Sequence, residues 1–324
     1  MLDKGQGTMS ETANSPSKYD RVIARAQECG SPVTIVAHPC EETALRGASE
    51  AARQGLIVPV LVGPVATIQS VAAEHDIDIT GYEIVDVPHS HAAAARAVQM
   101  IREGRGEVLM KGSLHTDELM REVTASATGL RTERRISHVF VMDVLGHADT
   151  LFITDAAINI FPNLETKRDI IQNAIDLHNG IGLGEPRVAI LSAVETVMTS
   201  IPSTIEAAAL CKMADRGQIT GAKLDGPLAF DNAINLEAAR IKGIHSEVAG
   251  QAQILVVPDL EAGNMLAKNL IFLAGADAAG VVLGARVPIV LTSRADSVRA
   301  RLASCAVAVL DAVARRQNVL VATV

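Results

Sequence analysis

The chain has 324 residues, enough for two domains of ordinary size, and carries a formal net charge of -8. Hydrophobic residues make up 48% of it and aromatics only 2%, with no Trp, so the core has to be built from Ala, Val, Ile and Leu, the palette of strands covered by helices. The acidic balance without Lys/Arg runs argues against nucleic acid as a partner, the four dispersed cysteines argue against a disulfide framework or zinc site, and no apolar run of about 18 residues exists to span a membrane.

The first 18 residues are rich in Gly, Ser, Thr and Lys, lack an apolar signal core and read as a flexible tail; with unpaired cysteines this gives a cytoplasmic protein. From Tyr19 onward short β-branched runs alternate with Ala-rich helical stretches, the pattern of an α/β sheet with crossover helices. Strands are expected at 33–37, 57–62, 82–87, 107–110 and 138–143, with helices at 41–54 and 92–102 between them. A second series places strands at 151–157, 187–191, 218–224, 253–257, 279–284 and 287–291, and helices at 165–179, 204–214, 262–274 and after Arg294. The polar, Gly-containing stretch 144–150 separates two strands without room for a helix and is the expected crossing between domains.

Four strand ends carry chemistry. At VPIVLTSRADS, 287–297, an apolar strand runs into Ser293, Arg294 and Asp296 before a long helix. A guanidinium at the positive end of a helix is disfavoured unless an anion sits there, so Arg294 points to an anion site; the plainer reading is that Ser293 caps the helix with Asp296 completing a capping box. At VLMKGSLHTDE, 108–118, another strand ends in Lys111, Gly112, Ser113 and His115, with Gly112 allowing close backbone approach and Lys111 supplying a charge suited to phosphate. The plainer reading there is an edge lysine and a helix cap. Paired Arg134 and Arg135 ahead of the strand at 138–143 suit a phosphate clamp or a solvated face. At KLDGPLAFDNA, Asp225 and Asp231 offer a base or an orienting carboxylate, against a turn and a cap.

Other motifs carry less. Gly180, Gly182 and Gly184 follow a helix and precede a strand, the reverse of a dinucleotide fingerprint, and read as a helix-ending loop. His89 and His91 lack ligand partners at metal spacing, and Cys40 has no base nearby and reads as a buried thiol.

With these segments together, the chain resembles the phosphate acetyltransferase and phosphate butyryltransferase family. The match runs from about Val33 to the last helix, most specifically in LMKGSLHTDEL, RRISHVFVMD, ITDAAINIFPNLETK, KLDGPLAFDNA, VPDLEAGNMLAKNL and VPIVLTSRADS, in family order. The resemblance implies a two-domain isocitrate/isopropylmalate dehydrogenase-like α/β architecture with an interdomain cleft: a first domain of 19–148 and 287–324, and a second of 149–286. It also implies a homodimer or larger assembly that transfers a short acyl group, acetyl or butyryl, between coenzyme A and inorganic phosphate with neither metal nor prosthetic group. On the family pattern Ser293 hydrogen-bonds the reacting group, Arg294 binds phosphoryl oxygens, and Lys111, Ser113 and Arg135 line the opposing wall. Gly263 and Asn264, opening a helix, help hold coenzyme A or the acyl end.

One departure stands out. In the acetyltransferase branch a carboxylate taken as the base follows the Ser-Arg pair by about two helical turns, whereas this chain has Val298, Arg299, Ala300 and Arg301. Asp296 is the nearest replacement, with Asp225 and Asp231 as fallbacks; losing a dedicated base for a thiol costs a factor on the order of 10² to 10⁴. Three alternatives remain: transfer from acyl carrier protein, for which no basic docking patch is visible; an oxidoreductase of the related dehydrogenase fold, whose metal-binding Asp cluster cannot be assembled; and a silent coenzyme A-binding protein, against which Ser293 and Arg294 weigh.

Overall fold

The computed structural model describes residues 17–292 and 296–322. The calls on residues 1–16, Ser293 and Arg294 therefore lie outside the described residues. Ser17 and Lys18, expected in the tail, instead open the first helix, α1 (Lys18–Glu28), through a complete capping box between Ser17 and Asp20.

The first series is β1 (Val33–Ala37), α2 (Glu42–Arg53), β2 (Val58–Gly63), α3 (Val65–Glu74), β3 (Glu83–Asp86), α4 (Ser90–Arg102), β4 (Val108–Lys111) and α5 (Thr116–Thr124). It continues with β5 (Ser137–Asp143), β6 (Leu151–Thr154), α6 (Leu164–Gly180), β7 (Arg187–Leu191), α7 (Pro202–Asp215), β8 (Lys223–Leu228), α8 (Phe230–Ile234), α9 (Leu236–Ile241), β9 (Ile254–Val256) and α10 (Leu260–Leu273). The last elements are β10 (Asp277–Leu283), β11 (Ile289–Val290) and α11 (Val298–Ala322). All eleven strands form one sheet in the order β3-β2-β1-β4-β11-β10-β5-β6-β9-β7-β8.

Pairing is parallel from β3 to β11 and from β6 to β8, but the central steps β11–β10, β10–β5 and β5–β6 are antiparallel. The stretch 144–150, expected as a crossing between domains, is thus the loop of an antiparallel β5–β6 hairpin, a connection that, like that of β10 to β11, needs no helix. Three reversals also mean that β4, β11 and β5 run one way while β6 to β9 run the other.

Side chains alternate across the sheet, and the two faces are covered differently. On one face a single core joins both series: Val108 and Met110 of β4, Val139 and Val141 of β5, Val281 of β10 and Val256 of β9 pack with α2, α6, α7 and α11. On the other face the core is split. Leu109, Ile289 and Val282 pack with α4 and α5, while Met142, Ile153 and Leu255 pack with Ala239 of α9 and Ala267 of α10. Between these two clusters Phe140, Ile158, Ala278 and Leu291 stay half-buried, so the cover on this face, called the groove face below, is divided.

Three expectations need correcting. The strand expected at 218–224 begins at Lys223, because Gly221 takes a left-handed turn at φ 81° and Ile219 packs into the core from the loop before it. The Asp225-Gly226-Pro227 sequence, read as a turn, lies within β8, an edge strand where a missing N–H costs no ladder bond. The final helix begins at Val298, and its cap is Ser297, whose Oγ accepts from the Ala300 N–H at 3.1 Å, not Ser293. Among the described residues no helix is long and apolar enough to cross a membrane.

Candidate active site

From β1 the chain leaves through α2 and α3 over one face, and α4 and α5, on either side of β4, pack on the other; the carboxyl ends of β1 and β4 are therefore a topological switch point, where open α/β sheets bind ligands. The two ends are fastened together. Past the strands, Gly112 N–H donates to Ala37 O at 2.9 Å and Ser113 N–H to His38 O at 2.8 Å. A Cβ on Gly112 would lie 2.4 Å from Ala37 O and 2.5 Å from His38 O, so only glycine permits this approach. The Ser113 hydroxyl donates to His38 O at 2.7 Å and accepts from the Cys40 N–H at 3.0 Å. Its proton being spent, the His38 Nδ1 contact at 3.3 Å needs the proton on the imidazole. Burial lowers the His38 pKa, with the Glu118 and Glu41 carboxylates opposing, and the ring is neutral at pH 7.

Lys111 is no edge lysine: β4 lies between β1 and β11, and the side chain is 6% exposed, its Nζ 3.4 Å from Gly112 O. Register sets Met110 beside Val290, Val290 beside Val281 and Gly280 beside Phe140. One residue further along β4 and β11, Lys111, Leu291, Gly280 and Phe140 therefore form one row on the groove face.

Beyond Val290 the chain opens the Thr292–Asp296 junction next to Lys111. Arg301, 4% exposed on the first turn of α11, joins the two flanking residues: Nη1 donates to Thr292 Oγ1 at 3.0 Å and Nε to the Asp296 carbonyl at 3.4 Å. Burial lowers the pKa of its guanidinium, and the Asp296 charge opposes that shift. Gly47 of α2 makes room for it, since a Cβ there would meet Arg301 Cδ at 3.1 Å.

A second group sits at the other end of the central strands, because β6 runs antiparallel to β5. The buried Asp155 carboxylate accepts from the N–H groups of Ala157, Ile158 and Asn159 at 3.0–3.1 Å, and Asn159 Nδ2 bridges to Ile136 O at 2.9 Å. Desolvation nonetheless raises the Asp155 pKa, these hydrogen bonds opposing it. Gly263 lets α10 lie against this loop, a Cβ there being 3.0 Å from Asp155 O, and Asn264 Nδ2 reaches Ala156 O at 3.3 Å. Asp259, not Gly263, caps α10.

Of the expected site residues, Lys111, Gly112 and Ser113 therefore lie together at the end of β4, with His115 exposed at the α5 N-cap beside them, while Asp296 is tied through Arg301 to Thr292. Arg135 lies at the start of β5, at the opposite end, where its backbone is held by Asp169 and Asn173 of α6 and its side chain is exposed. Arg134 pairs with Asp176 at 2.9 Å and lines a separate cavity of about 690 Å³ with Thr132, Asp311 and Arg315. Asp225 and Asp231 belong to the far edge: β8 is seven strands from β4, and Asp231 is paired with Lys242 at 3.1 Å. They are not brought to the junction. Sequence reasoning passed over His38, Asp155 and Asn159; an Asp followed four residues later by Asn just past a strand was the available signal for the last two.

The model of the family described as phosphate acetyl/butaryl transferase matches residues 89–309. A phosphate acetyltransferase of Rhizobium meliloti is 79% identical over 93% of this chain and 95% of its own length. A phosphate butyryltransferase of Clostridium beijerinckii is 40% identical over 91% of this chain and 97% of its own. Among solved structures, a branched-chain phosphotransacylase from Enterococcus faecalis V583 superposes with TM-score 0.76 at 28% identity, covering 86% of this chain and 99% of its own.

Proposed function

Because the chain belongs to the phosphate acetyl/butaryl transferase family, we propose that it exchanges an acetyl group between coenzyme A and inorganic phosphate in the groove beside Lys111 and the Thr292–Asp296 junction. It is an acyltransferase, and the likeness to the Rhizobium meliloti enzyme carries the choice of acetyl over butyryl.

The reaction needs cations around phosphate and a donor for the oxyanion that forms when sulfur attacks the acyl carbon. In this reading Arg294 and Lys111 hold the phosphoryl oxygens, Ser293 hydrogen-bonds the reacting group, and Ser113 keeps the β1 and β4 ends in place. Asp296 takes the thiol proton; its charge acts on the buried Arg301, which supports a place for the carboxylate at this end of the site. Asn264 and Gly263 at the other end of the groove, with Arg135, hold the distal part of coenzyme A, an elongated molecule with phosphates far from its thiol. The split core supports an isocitrate dehydrogenase-like pair of domains, 19–148 with 287–324 and 149–286, with the groove as their cleft. Neither metal nor prosthetic group takes part, and the working form is a cytoplasmic homodimer.

The test is direct. Purified protein mixed with coenzyme A and acetyl, propionyl or butyryl phosphate is followed by thioester absorbance, and acetyl phosphate is expected to give the highest kcat/KM. Arg294→Ala should raise KM for acetyl phosphate at least tenfold, about 1.4 kcal/mol of lost binding; an unchanged KM removes Arg294 from the site. Asp296→Asn should lower kcat and flatten its acidic limb, and an unaltered profile assigns the base elsewhere.

A further inference from the structure

Among the described residues two other than glycine take a left-handed backbone, Asp76 and His38, and His38 does so at φ 56° one residue past β1, at the switch point of the sheet. Four hydrogen bonds hold it there. Its N–H donates to Val62 O at 2.7 Å, and its carbonyl accepts from the Cys40 N–H at 2.9 Å, the Ser113 N–H at 2.8 Å and the Ser113 hydroxyl at 2.7 Å. Glycine would adopt this conformation without strain, so what the position gains from histidine is the ring.

That ring is set as an acceptor. The Ser113 hydroxyl already gives its proton to His38 O, so the imidazole proton sits on Nδ1, 3.3 Å from Ser113 Oγ, and Nε2 carries the lone pair. Nε2 makes no hydrogen bond among the described residues. The buried side-chain atoms that lack a partner there lie elsewhere, on Glu118, His138, His147 and Asn232, so Nε2 of this half-buried residue is open to solvent. Pairing puts Lys111 beside Ala37, the residue before His38, so a cation and a lone pair stand at adjoining strand ends about 4.8 Å apart. Glu118 on α5, Glu41 ahead of α2 and His89 ahead of α4 also act on the ring, and burial outweighs the two carboxylates in keeping it neutral.

We propose that His38 is a specificity-determining residue whose Nε2 accepts the hydroxyl proton of hydrogen phosphate and so selects that dianion over sulfate, which has the same charge and similar size but no proton. This deepens the acyltransfer reading and rests on it. Hydrogen phosphate has one O–H and needs one acceptor. Lys111 and Arg294 can only donate, and in that reading Asp296 serves the thiol, so His38 supplies the acceptor on the phosphate side. Sulfate in the same place sets oxygen lone pairs against a nitrogen lone pair, with the Glu118 and Glu41 charges behind it. A site built around one hydrogen bond rejects the isostere that cannot make it far better than a site that lacks only an apolar contact.

The experiment follows acetyl-CoA consumption with phosphate as substrate and sulfate as competitor, at pH 8 and fixed ionic strength, in wild type, His38→Asn and His38→Gly. Both replacements tolerate the left-handed backbone and remove Nε2, and thermal unfolding reports whether they keep the fold. In wild type the inhibition constant of sulfate should exceed KM for phosphate roughly thirtyfold or more. In the variants that ratio should fall to within about threefold, through a raised phosphate KM. The proposal is overturned if wild type binds the two anions within about threefold of each other, or if the wild-type ratio survives in a variant with wild-type Tm. Wild type that consumes acetyl-CoA without choosing between the anions refutes this inference alone. Wild type that transfers no acyl group in either direction sinks the acyltransfer reading, and this proposal with it.

Discussion

Replacing Arg301 by methionine tests whether the junction carrying Ser293 and Arg294 is held from below. Methionine keeps the length and apolar stem while removing the guanidinium, so Gly47 is not newly crowded. Two hydrogen bonds disappear, a good one to Thr292 Oγ1 at 3.0 Å and a long one to the Asp296 carbonyl at 3.4 Å. A hydrogen bond from a charged group contributes about 1.5–3 kcal/mol, and only the first is short enough to count fully. Thr292 is 6% exposed, so its hydroxyl oxygen is left without that donor and cannot simply turn to water. Against this, the buried cation no longer has to be desolvated, which returns part of the loss. The net is about 2 kcal/mol, a Tm lowered by roughly 3 °C for a chain of this size. Function should suffer more than stability does: with its lower anchors gone, the junction spreads over several conformations, and KM for acetyl phosphate should rise about tenfold with kcat falling as well. Differential scanning fluorimetry and initial rates of thioester formation give both numbers. A Tm within a degree of wild type together with an unchanged KM would show that the junction is fixed by its own backbone and that Arg301 only fills space.

The remaining expectations are simpler. Ser113→Ala removes the hydroxyl that joins the β1 and β4 ends and leaves the Cys40 N–H only His38 O as acceptor, so stability should drop by about 1 kcal/mol in urea unfolding with kcat/KM lowered at the same time; a silent variant would mean that the two backbone bonds suffice. Burial pushes the thiol pKa of Cys40 up to about 11 and those of Cys211 and Cys305 up to about 12, whereas Cys29 is exposed. Thiolate is the reactive form, so at pH 8 an aromatic disulfide reagent should label one site quickly, lose that phase in Cys29→Ser, and leave activity intact. Rapid labelling of Cys40 with loss of activity would restore it as a nucleophile.

The sequence by itself was sufficient for the alternation of strands and helices, because β-branched runs of period two and alanine-rich runs of period 3.6 are local signals. It located β1 and β7 to the residue and β5 within one, and marked Lys111, Gly112 and Ser113 as a strand end able to carry a ligand. Family motifs then supplied the reaction. It gave no bounds for α1, α3, α5, α8 and α9; α8 and α9 are single short turns and α3 is weakly patterned, whereas α1 carried a readable signal in the Ser17–Asp20 capping box. It displaced β8 because QITGAKL looks more strand-like than a stretch containing Gly226-Pro227, and whether a proline is tolerable depends on the strand being an edge.

What tertiary structure alone decided is which strand ends share a place. Strand order and direction are long-range properties, and a reversal at β10 or β5 moves every following site to the other end of the sheet. That is why Asp225 and Asp231 fall away from Lys111, and why Arg301, named from sequence only as part of a stretch without a carboxylate, proves to join Thr292 to Asp296. The clamp on His38 belongs to the same class of fact: the residue is unremarkable in its own segment, and only the pairing of β1 with β2 and β4 brings Val62 and Ser113 onto its backbone.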